Sequence, residues 1–353
     1  MLWDPTAHEP LVEGAWDEDR ARSAIREIAT DAEEAFADDW PVHVLDVEPG
    51  DPERWSGTYL GGAGIVDALH RVSERGFVEL RHDYLPYLER LEPDMPGSSL
   101  MLGETGILLV RQRLSPSAAI LERLRELIAE HADSDARELL LGSPGTILVA
   151  SELGFDELRQ DSSARMLDAR DPVSGLWEQH IWNERAEYLG AAHGFAGCVL
   201  ALGDFEGASE TARRYALVED GLANWPPFPG DRPIRTQWCH GAPGMVTALG
   251  DVLDEDLAVA GGELTWQAGP LAKGASLCHG TAGNGYAFLT LFERTGDERW
   301  LDRARRFAMH AIAQVEDARA EHGMGRYSLW TGDLGTALYV ADCIDGGGVL
   351  PLP

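Results

Sequence analysis

A short glycine pattern recurs seven times along the 353 residues and constrains the fold more than any other feature. Each copy reads Gly-x-x-Gly and continues into a small, apolar run such as GIVDAL, GMVTAL or GTALYV. From one first glycine to the next the chain runs 39 to 52 residues, which leaves room for two helices and two connections per copy. The copies begin at Gly61, Gly103, Gly142, Gly194, Gly241, Gly280 and Gly332.

Two kinds of helix alternate in this repeat. The run after each motif is apolar on all sides, which predicts a buried inner helix, whereas the preceding segment is amphipathic, as in DEDRARSAIREIATDAEEAF from Asp17. An open solenoid would need polar capping repeats, and neither the first nor the last copy is of that kind. We therefore predict an all-α fold, a seven-fold α/α barrel forming a single domain over residues 1–353. A doubly wound α/β fold is disfavoured, because alternating β-branched runs are scarce.

In such a barrel the loops before the inner helices meet at one mouth, with helix N-termini facing whatever binds there. We number loop positions backwards from the first glycine of each motif. Position −1 holds a histidine in copies four, five and six, namely His193, His240 and His279. Position −2 holds a cysteine in copies five and six, Cys239 and Cys278. These residues are therefore predicted to share one site.

Thiolate and imidazole side chains together are typical ligands of zinc. Four donors are available in copies five and six, Cys239, His240, Cys278 and His279, and all four together would make a closed structural site. Three of them with an open fourth position would make a catalytic site. The catalytic alternative is favoured, since a chain of this length buries a sufficient core without a structural metal.

The motifs AHGFAG, WCHGAPG, CHGTAGNGYAFL and YSLWTGDLG resemble those of the lanthionine synthetase C (LanC) family and its LanC-like relatives, and the resemblance extends over essentially the whole chain. It implies a seven-fold α/α barrel with one Zn(II) held by Cys239, Cys278 and His279. It also implies that His193 is an acid/base residue.

Two looser matches place Arg235 and Glu138 where the family often has an active-site arginine and carboxylate, although a surface salt bridge would explain either residue. His240 stands where peptide-cyclising members commonly have tyrosine, and in this respect the chain resembles the LanC-like proteins associated with glutathione. His240 is a second candidate for the proton-transfer role. The expected catalytic residues are thus His193, His240, Arg235 and Glu138.

The predicted function is zinc-dependent activation of a thiol for addition to dehydroalanine or dehydrobutyrine, with formation of a thioether. The expected partners are a thiol, either a small molecule or a peptide cysteine, and a peptide that contains the dehydroamino acid. Two alternatives stay open, a lanthionine cyclase acting on a dedicated precursor peptide and a non-catalytic, zinc-stabilised barrel that binds a thiol or peptide. A carbohydrate-acting barrel would instead need paired carboxylates at the mouth.

The charge balance limits the partners further. The chain has 60 acidic and 29 basic residues, a formal net charge of −31, and Lys273 as its single lysine. This balance disfavours nucleic acid and anionic membranes as partners and is typical of halophilic proteins. The start MLWDPTAHEP has no signal-peptide pattern and no apolar run is long enough to span a membrane, so we expect a cytoplasmic, monomeric protein. Cys198 and Cys343 are expected to be small buried hydrophobic residues.

Overall fold

The structure, a computed structural model, describes residues 1–47, 54–181 and 184–352. Helices dominate it, and short 3₁₀ turns occur at Pro5–Ala7, Val44–Asp46 and Gly250–Val252. In chain order the α-helices are α1 (Glu18–Ala35), α2 (Gly62–Glu74), α3 (Leu85–Leu88), α4 (Glu104–Leu114), α5 (Ala118–His131), α6 (Ser143–Glu152), α7 (Asp156–Asp168), α8 (Phe195–Leu202), α9 (Ala208–Tyr215), α10 (Ala242–Leu249), α11 (Glu255–Ala268), α12 (Thr281–Thr295), α13 (Glu298–His322) and α14 (Asp333–Asp345).

Each Gly-x-x-Gly motif begins one of the even-numbered helices, and its first glycine is the N-cap. The second glycine is needed for close approach. A Cβ atom on Gly244 or Gly283 would overlap the carbonyl oxygen of Trp238 or Leu277, six residues upstream, and the other five second glycines are in the same position. Without a side chain at this point, the loop can fold back onto the first turn of its own helix.

The even-numbered helices pack against one another as neighbours. Helix α2 packs against α4, and the pairs α6–α8, α8–α10, α10–α12 and α12–α14 pack in the same way. Helix α14 in turn contacts α2, so that the last repeat meets the first. These helices bury most of their residues, and in α14 every residue from Asp333 to Cys343 is buried. The predicted all-α barrel is confirmed.

The odd-numbered helices bury one face, except α11, which is buried over most of its surface. In α1 the buried positions Ala21, Ile25, Ile28 and Ala32 recur every three or four residues, and the Asp17 side chain caps the helix by accepting a hydrogen bond from the Arg20 amide. This amphipathic pattern was predicted.

The segment before the second motif differs from the prediction, because its helix α3 is a single turn. Pro86 lies in the first turn of α3 and stops this helix from extending upstream, and Pro93 and Pro96 follow it, since proline removes a backbone donor and obstructs the preceding turn of a helix. Tyr84 and Tyr87 pack edge-on against the Phe36 ring instead.

Two antiparallel hairpins were not predicted. Strand β1 (Gln179–Ile181) pairs with β2 (Glu184–Ala186), and β3 (Leu217–Glu219) pairs with β4 (Leu222–Asn224). The second hairpin turns at Asp220 and Gly221, which both have positive φ angles, as a two-residue Asp-Gly turn requires. Strands of three residues are too short to show an alternating pattern in the sequence. None of the described helices is long and apolar enough to cross a membrane.

Candidate active site at the mouth of the barrel

The loops before the inner helices are joined to one another at position −2. The Cys239 amide donates to the Cys278 carbonyl oxygen at 3.0 Å, and the Cys278 amide donates to that of Trp330 at 2.9 Å. The Trp330 amide donates to the Tyr59 carbonyl oxygen, and the Tyr59 amide donates to the Met101 carbonyl oxygen, both at 3.2 Å. We call these five residues the rim. The bond from Trp330 to Tyr59 joins the last repeat to the first, so residues far apart in the chain become neighbours.

Cys278 is the centre of a side-chain cluster on this rim. Its thiol lies near the side chains of Cys239, His279 and Tyr59, and both cysteines are buried. The bond with Cys239 lowers the pKa of Cys278 well below its usual value, with smaller contributions from His279 and Tyr59 and against the effect of burial. The same bond, together with burial, raises the pKa of Cys239 well above its usual value.

Two thiols and one imidazole are the donor set that zinc prefers, and Cys278 lies in contact with both other donors. In the described part of the chain, no three His, Cys, Asp or Glu side chains together form a ready metal cage. The chemistry of the donors thus fits zinc, whereas the assignment of Cys239, Cys278 and His279 as ligands stays a prediction.

His193 and Glu138 form a second part of the site. The Glu138 carboxylate is completely buried and accepts a hydrogen bond from His193 Nδ1 at 2.9 Å. It also accepts from the amides of Leu140, at 2.9 Å, and Leu141, and it follows Arg137, whose φ of +46° is left-handed. Glu138 is therefore an internal, fully bonded carboxylate and does not take part in a surface salt bridge.

The environment of His193 favours its charged form. Burial lowers the pKa of His193, but the hydrogen bond to Glu138 more than offsets this effect, and the pKa lies above its usual value. Because Nδ1 donates to Glu138, Nε2 carries a proton only in the cationic imidazolium. A histidine held in this way can deliver its Nε2 proton and take one back near neutral pH.

His240 lies beside His193 in a different environment. The two ring centroids are 5.9 Å apart, and the His240 ring also contacts Tyr188 at 6.1 Å. Burial, with the nearby charges of His193 and Arg235, lowers the pKa of His240 to about 3, so its imidazole is neutral. Its Nδ1 is buried and has no hydrogen-bond partner among the described residues. A neutral imidazole with an unused nitrogen is suited to accept a hydrogen bond or to bind a metal.

Arg235 is exposed at the mouth and forms no ion pair with any residue that the structure describes. Its positive charge acts on both Cys239 and His240, and the charge of Lys273 acts on Cys239 as well. The surface salt bridge considered for Arg235 is therefore absent from the described residues. The side chain is close enough to the Cys239 thiol to influence it electrostatically.

Two buried asparagines hold these loops, and the sequence analysis missed both. Asn224 Nδ2 donates to the carbonyl oxygens of Pro233 at 2.6 Å and Arg235 at 3.0 Å, while its Oδ1 accepts from the Ala242 amide at 2.7 Å. Asn284 Nδ2 donates to the Thr236 carbonyl oxygen at 2.8 Å. For Asn284 a signal existed, a polar residue within the apolar run of its helix. No local pattern marks Asn224.

Tyr59 was also missed, although it occupies position −2 of the first copy, where copies five and six have cysteine. Burial, followed by the neighbouring Cys278, raises the pKa of Tyr59 well above its usual value, so the phenol keeps its proton. Trp238 is buried and packs against Trp330, with ring centroids 4.9 Å apart. Cys198 and Cys343 are completely buried, as predicted.

Comparisons with known proteins bear on this site. A protein-family model described as "Lanthionine synthetase C-like protein" matches residues 55–349. "Glutathione S-transferase LANCL1" of Danio rerio is 32% identical over 206 residues, which are 52% of this chain and 48% of that protein. "LanC-like protein GCL1" of Arabidopsis thaliana is 32% identical over 168 residues, 41% of this chain and 38% of that protein. The matched stretches thus span less than half the length of these two relatives.

A solved structure titled "Nisin cyclase" is similar to the described fold, with a TM-score of 0.55. The superposition covers 94% of this chain and 100% of that structure at 14% sequence identity. At this identity the likeness concerns the fold alone, a helical barrel.

Proposed function

The chain belongs to the lanthionine synthetase C-like family, and from this membership and the geometry of the site we propose that it adds a low-molecular-weight thiol to dehydroalanine or dehydrobutyrine in a peptide. One observation carries the proposal. The rim places a Cys239–Cys278–His279 cluster at the same mouth as a His193–Glu138 pair. The first is suited to hold a thiolate-activating metal and the second to transfer a proton.

Cys239, Cys278 and His279 would hold one zinc ion. Zinc bound there would supply an open position and a positive charge that favours the deprotonated form of an incoming thiol. The residues around it exclude water, since both cysteines and Trp238 are buried.

The bond-forming step needs a proton donor on the protein. The thiolate sulfur adds to the β-carbon of the dehydroamino acid, and the electron pair of the C=C bond moves to give an enolate. The α-carbon then takes a proton, so that the S–H proton of the thiol is replaced by a C–H in the product. Cationic His193 would donate this proton from Nε2, because Glu138 holds Nδ1 and stabilises the charge. His240 is neutral, and its lowered pKa makes it a poor carrier of the proton that this step needs.

Arg235 would interact with the anionic parts of the reaction. It lies at the mouth without an ion-pair partner among the described residues, and its field reaches Cys239 and His240. A guanidinium in that position stabilises the enolate oxygen or a substrate carboxylate.

Two observations favour a small thiol over a cysteine of the same peptide. Position −1 of copy five holds His240, where the cyclising members commonly have tyrosine. The Danio rerio relative is named as a glutathione S-transferase and is 32% identical over the matched stretch.

Paired measurements of metal content and addition rate in two histidine variants test the proposal. In His193→Ala we expect retained zinc and a rate of thiol addition to a dehydroalanine peptide that is about 10²- to 10⁴-fold lower, because a general acid is lost. In His279→Ala we expect zinc and activity to be lost together, because too few donors remain. His70→Ala, in the middle of α2, is the matched control and should change neither.

Loss of zinc in His193→Ala comparable to that in His279→Ala would contradict the division between proton donor and ligand. A wild-type protein that adds no thiol to any dehydroamino-acid peptide would contradict the proposed function itself.

A further inference from the structure

One position of the inner-helix repeat faces the space that the inner helices enclose, which we call the bore. This position lies three residues after the second glycine of each motif. Leu148 and Thr247 occupy it in copies three and five, and both are partly exposed between buried neighbours. Leu200 and Tyr286 occupy it in copies four and six, and the residues of all four copies line one cavity of about 230 Å³. The repeat therefore determines which side chains this cavity meets.

The segment that follows α14 forms the remaining wall of the cavity. Gly346 ends the helix with a left-handed φ of +76°, and Gly348 lies so close to the Asp342 carboxylate that a Cβ atom would overlap it. The chain turns back at these glycines, and Leu350 becomes buried against the inner helices. Val349 also lines the cavity but is 76% exposed, so the cavity reaches solvent beside this residue.

The other side of the bore is nearly filled. Copies one and two hold Asp67 and Leu109 at the same position of the repeat. The Asp67 carboxylate pairs with Arg71 at 2.8 Å and with Arg113 at 2.7 Å. A space of only about 20 Å³ is left beside these residues, roughly the room that one water molecule needs. Leu352 borders both spaces, and the larger one, which we call the bore cavity, lies on the apolar side.

The lining of the bore cavity offers little to a polar ligand. Among the described residues that line it, none has a carboxylate, amine, guanidinium or imidazole group. Thr247 Oγ1 donates to the Pro243 carbonyl oxygen at 2.9 Å, and Thr290 Oγ1 donates to that of Tyr286 at 3.0 Å. The Tyr286 hydroxyl donates to Asp342 Oδ2 at 2.6 Å. A water molecule in the cavity would find no free side-chain donor, so an apolar molecule would displace it with a gain in affinity.

We propose that the bore cavity is a binding site for a small, uncharged apolar molecule such as a single aromatic ring or a short alkyl chain. Apolar cavities of about 150 Å³ already bind benzene or xenon, whereas sites for drug-sized ligands are about 300–1,000 Å³. A charged ligand is excluded, because it would lose its hydration without gaining a partner. The site is separate from the proposed function, since none of its lining residues belongs to the rim or to the expected catalytic residues.

Calorimetric titration with benzene tests the proposal, because benzene is uncharged and small enough for the cavity. Leu200→Phe places a larger side chain in the bore cavity and should weaken benzene binding about tenfold or more. Leu352→Ala enlarges the cavity, so this variant should bind the longer molecule butylbenzene more tightly than the wild type does. Leu217→Phe is the control, because it makes the first substitution on strand β3 at a residue that is 42% exposed, and it should bind benzene as the wild type does.

A wild-type protein that shows no heat of binding with benzene, and no rise of its unfolding midpoint in saturated benzene, would overturn the proposal. Equal benzene affinities of the wild type and folded Leu200→Phe would also overturn it, because the ligand would then bind elsewhere. If melting curves show that Leu200→Phe does not fold, an unchanged butylbenzene affinity in Leu352→Ala would overturn it instead. Each of these results would leave the proposed function intact, because the residues at the mouth are unchanged in all three variants.

Discussion

Replacing Glu138 with glutamine would test whether the role of His193 depends on its partner carboxylate and not only on the presence of the imidazole. In the structure one Glu138 oxygen accepts from the Leu141 amide, and the other accepts from the Leu140 amide and His193 Nδ1. Every donor around this buried side chain is an N–H group. A glutamine there keeps the shape, but its NH₂ must face one of these donors.

The expected loss of stability follows from the number of hydrogen bonds that the Glu138 carboxylate accepts. One buried donor is left unsatisfied whichever way the amide is turned, which costs about 1–3 kcal/mol of stability. His193 also loses the negative charge of Glu138, which together with the hydrogen bond raises its pKa, so its cationic form is less populated at neutral pH. With the proton donor less often charged, thiol addition should slow by up to about 10²- to 10⁴-fold.

The pH dependence has a definite sign. The folded-state pKa of His193 lies above its unfolded value, so the stabilisation from its bond with Glu138 is complete below the unfolded pKa and is lost as pH rises through the folded pKa. A rate of thiol addition that requires cationic His193 falls over the same rise in pH. In Glu138→Gln this fall should occur at lower pH than in the wild type.

The assay is the rate of thiol addition to a dehydroalanine peptide as a function of pH, with chemical denaturation as the measure of stability. Glu9→Gln is the matched control, because Glu9 pairs with buried His310 at 2.7 Å outside the site. It should leave the pH profile of addition unchanged. If Glu138→Gln kept the wild-type rate and profile, His193 would not be a proton donor oriented by Glu138.

Three further outcomes are expected. Gly283→Ala should destabilise the fold by about 1–3 kcal/mol in denaturant titrations, because the added Cβ overlaps the Leu277 carbonyl oxygen. Gly347→Ala is the control and should have little effect, because a Cβ there meets only an ordinary contact. Equal effects of the two substitutions would refute the argument that the second glycines are needed for close approach. Burial raises the pKa of Asp333 to about 7, so the stability that Asp333 contributes is complete below its unfolded pKa and is lost as pH rises towards 7. Asp333→Asn should not show this loss of stability. Parallel curves of stability against pH for the two proteins would contradict the prediction. Finally, salt should raise the melting temperature, because the charge of −31 repels itself and the screening length shrinks from about 10 Å at 0.1 M to about 3 Å at 1 M; a flat curve would count against the halophilic prediction.

The inner helices could be predicted from the sequence because one physical constraint repeats in it. Each second glycine lies against a carbonyl oxygen six residues upstream, as Gly244 does against Trp238, so each copy needs the same small residue at the same point. The outer helix before the second copy could not be predicted from that repeat. Its prolines, such as Pro86, override the pattern locally.

Within the site, repetition again decided what could be predicted. Cys239 and Cys278 stood out because adjacent copies hold the same residue at the same position. Tyr59 is a single tyrosine at that position, and its significance depends on the contact between the last and first repeats. The bond between Glu138 and His193 likewise joins two copies through residues 55 positions apart, and no local pattern specifies it.

The central claim is that a metal held by Cys239, Cys278 and His279 keeps a position open for an external thiol. X-ray absorption at the zinc edge, recorded on the purified protein before and after addition of the thiol, tests it most directly. We predict two sulfur neighbours and at least one nitrogen per zinc at first, and three sulfur neighbours once the thiol is bound. A sulfur count that stays at two when saturating thiol is present, or a protein that holds no zinc, would contradict the claim.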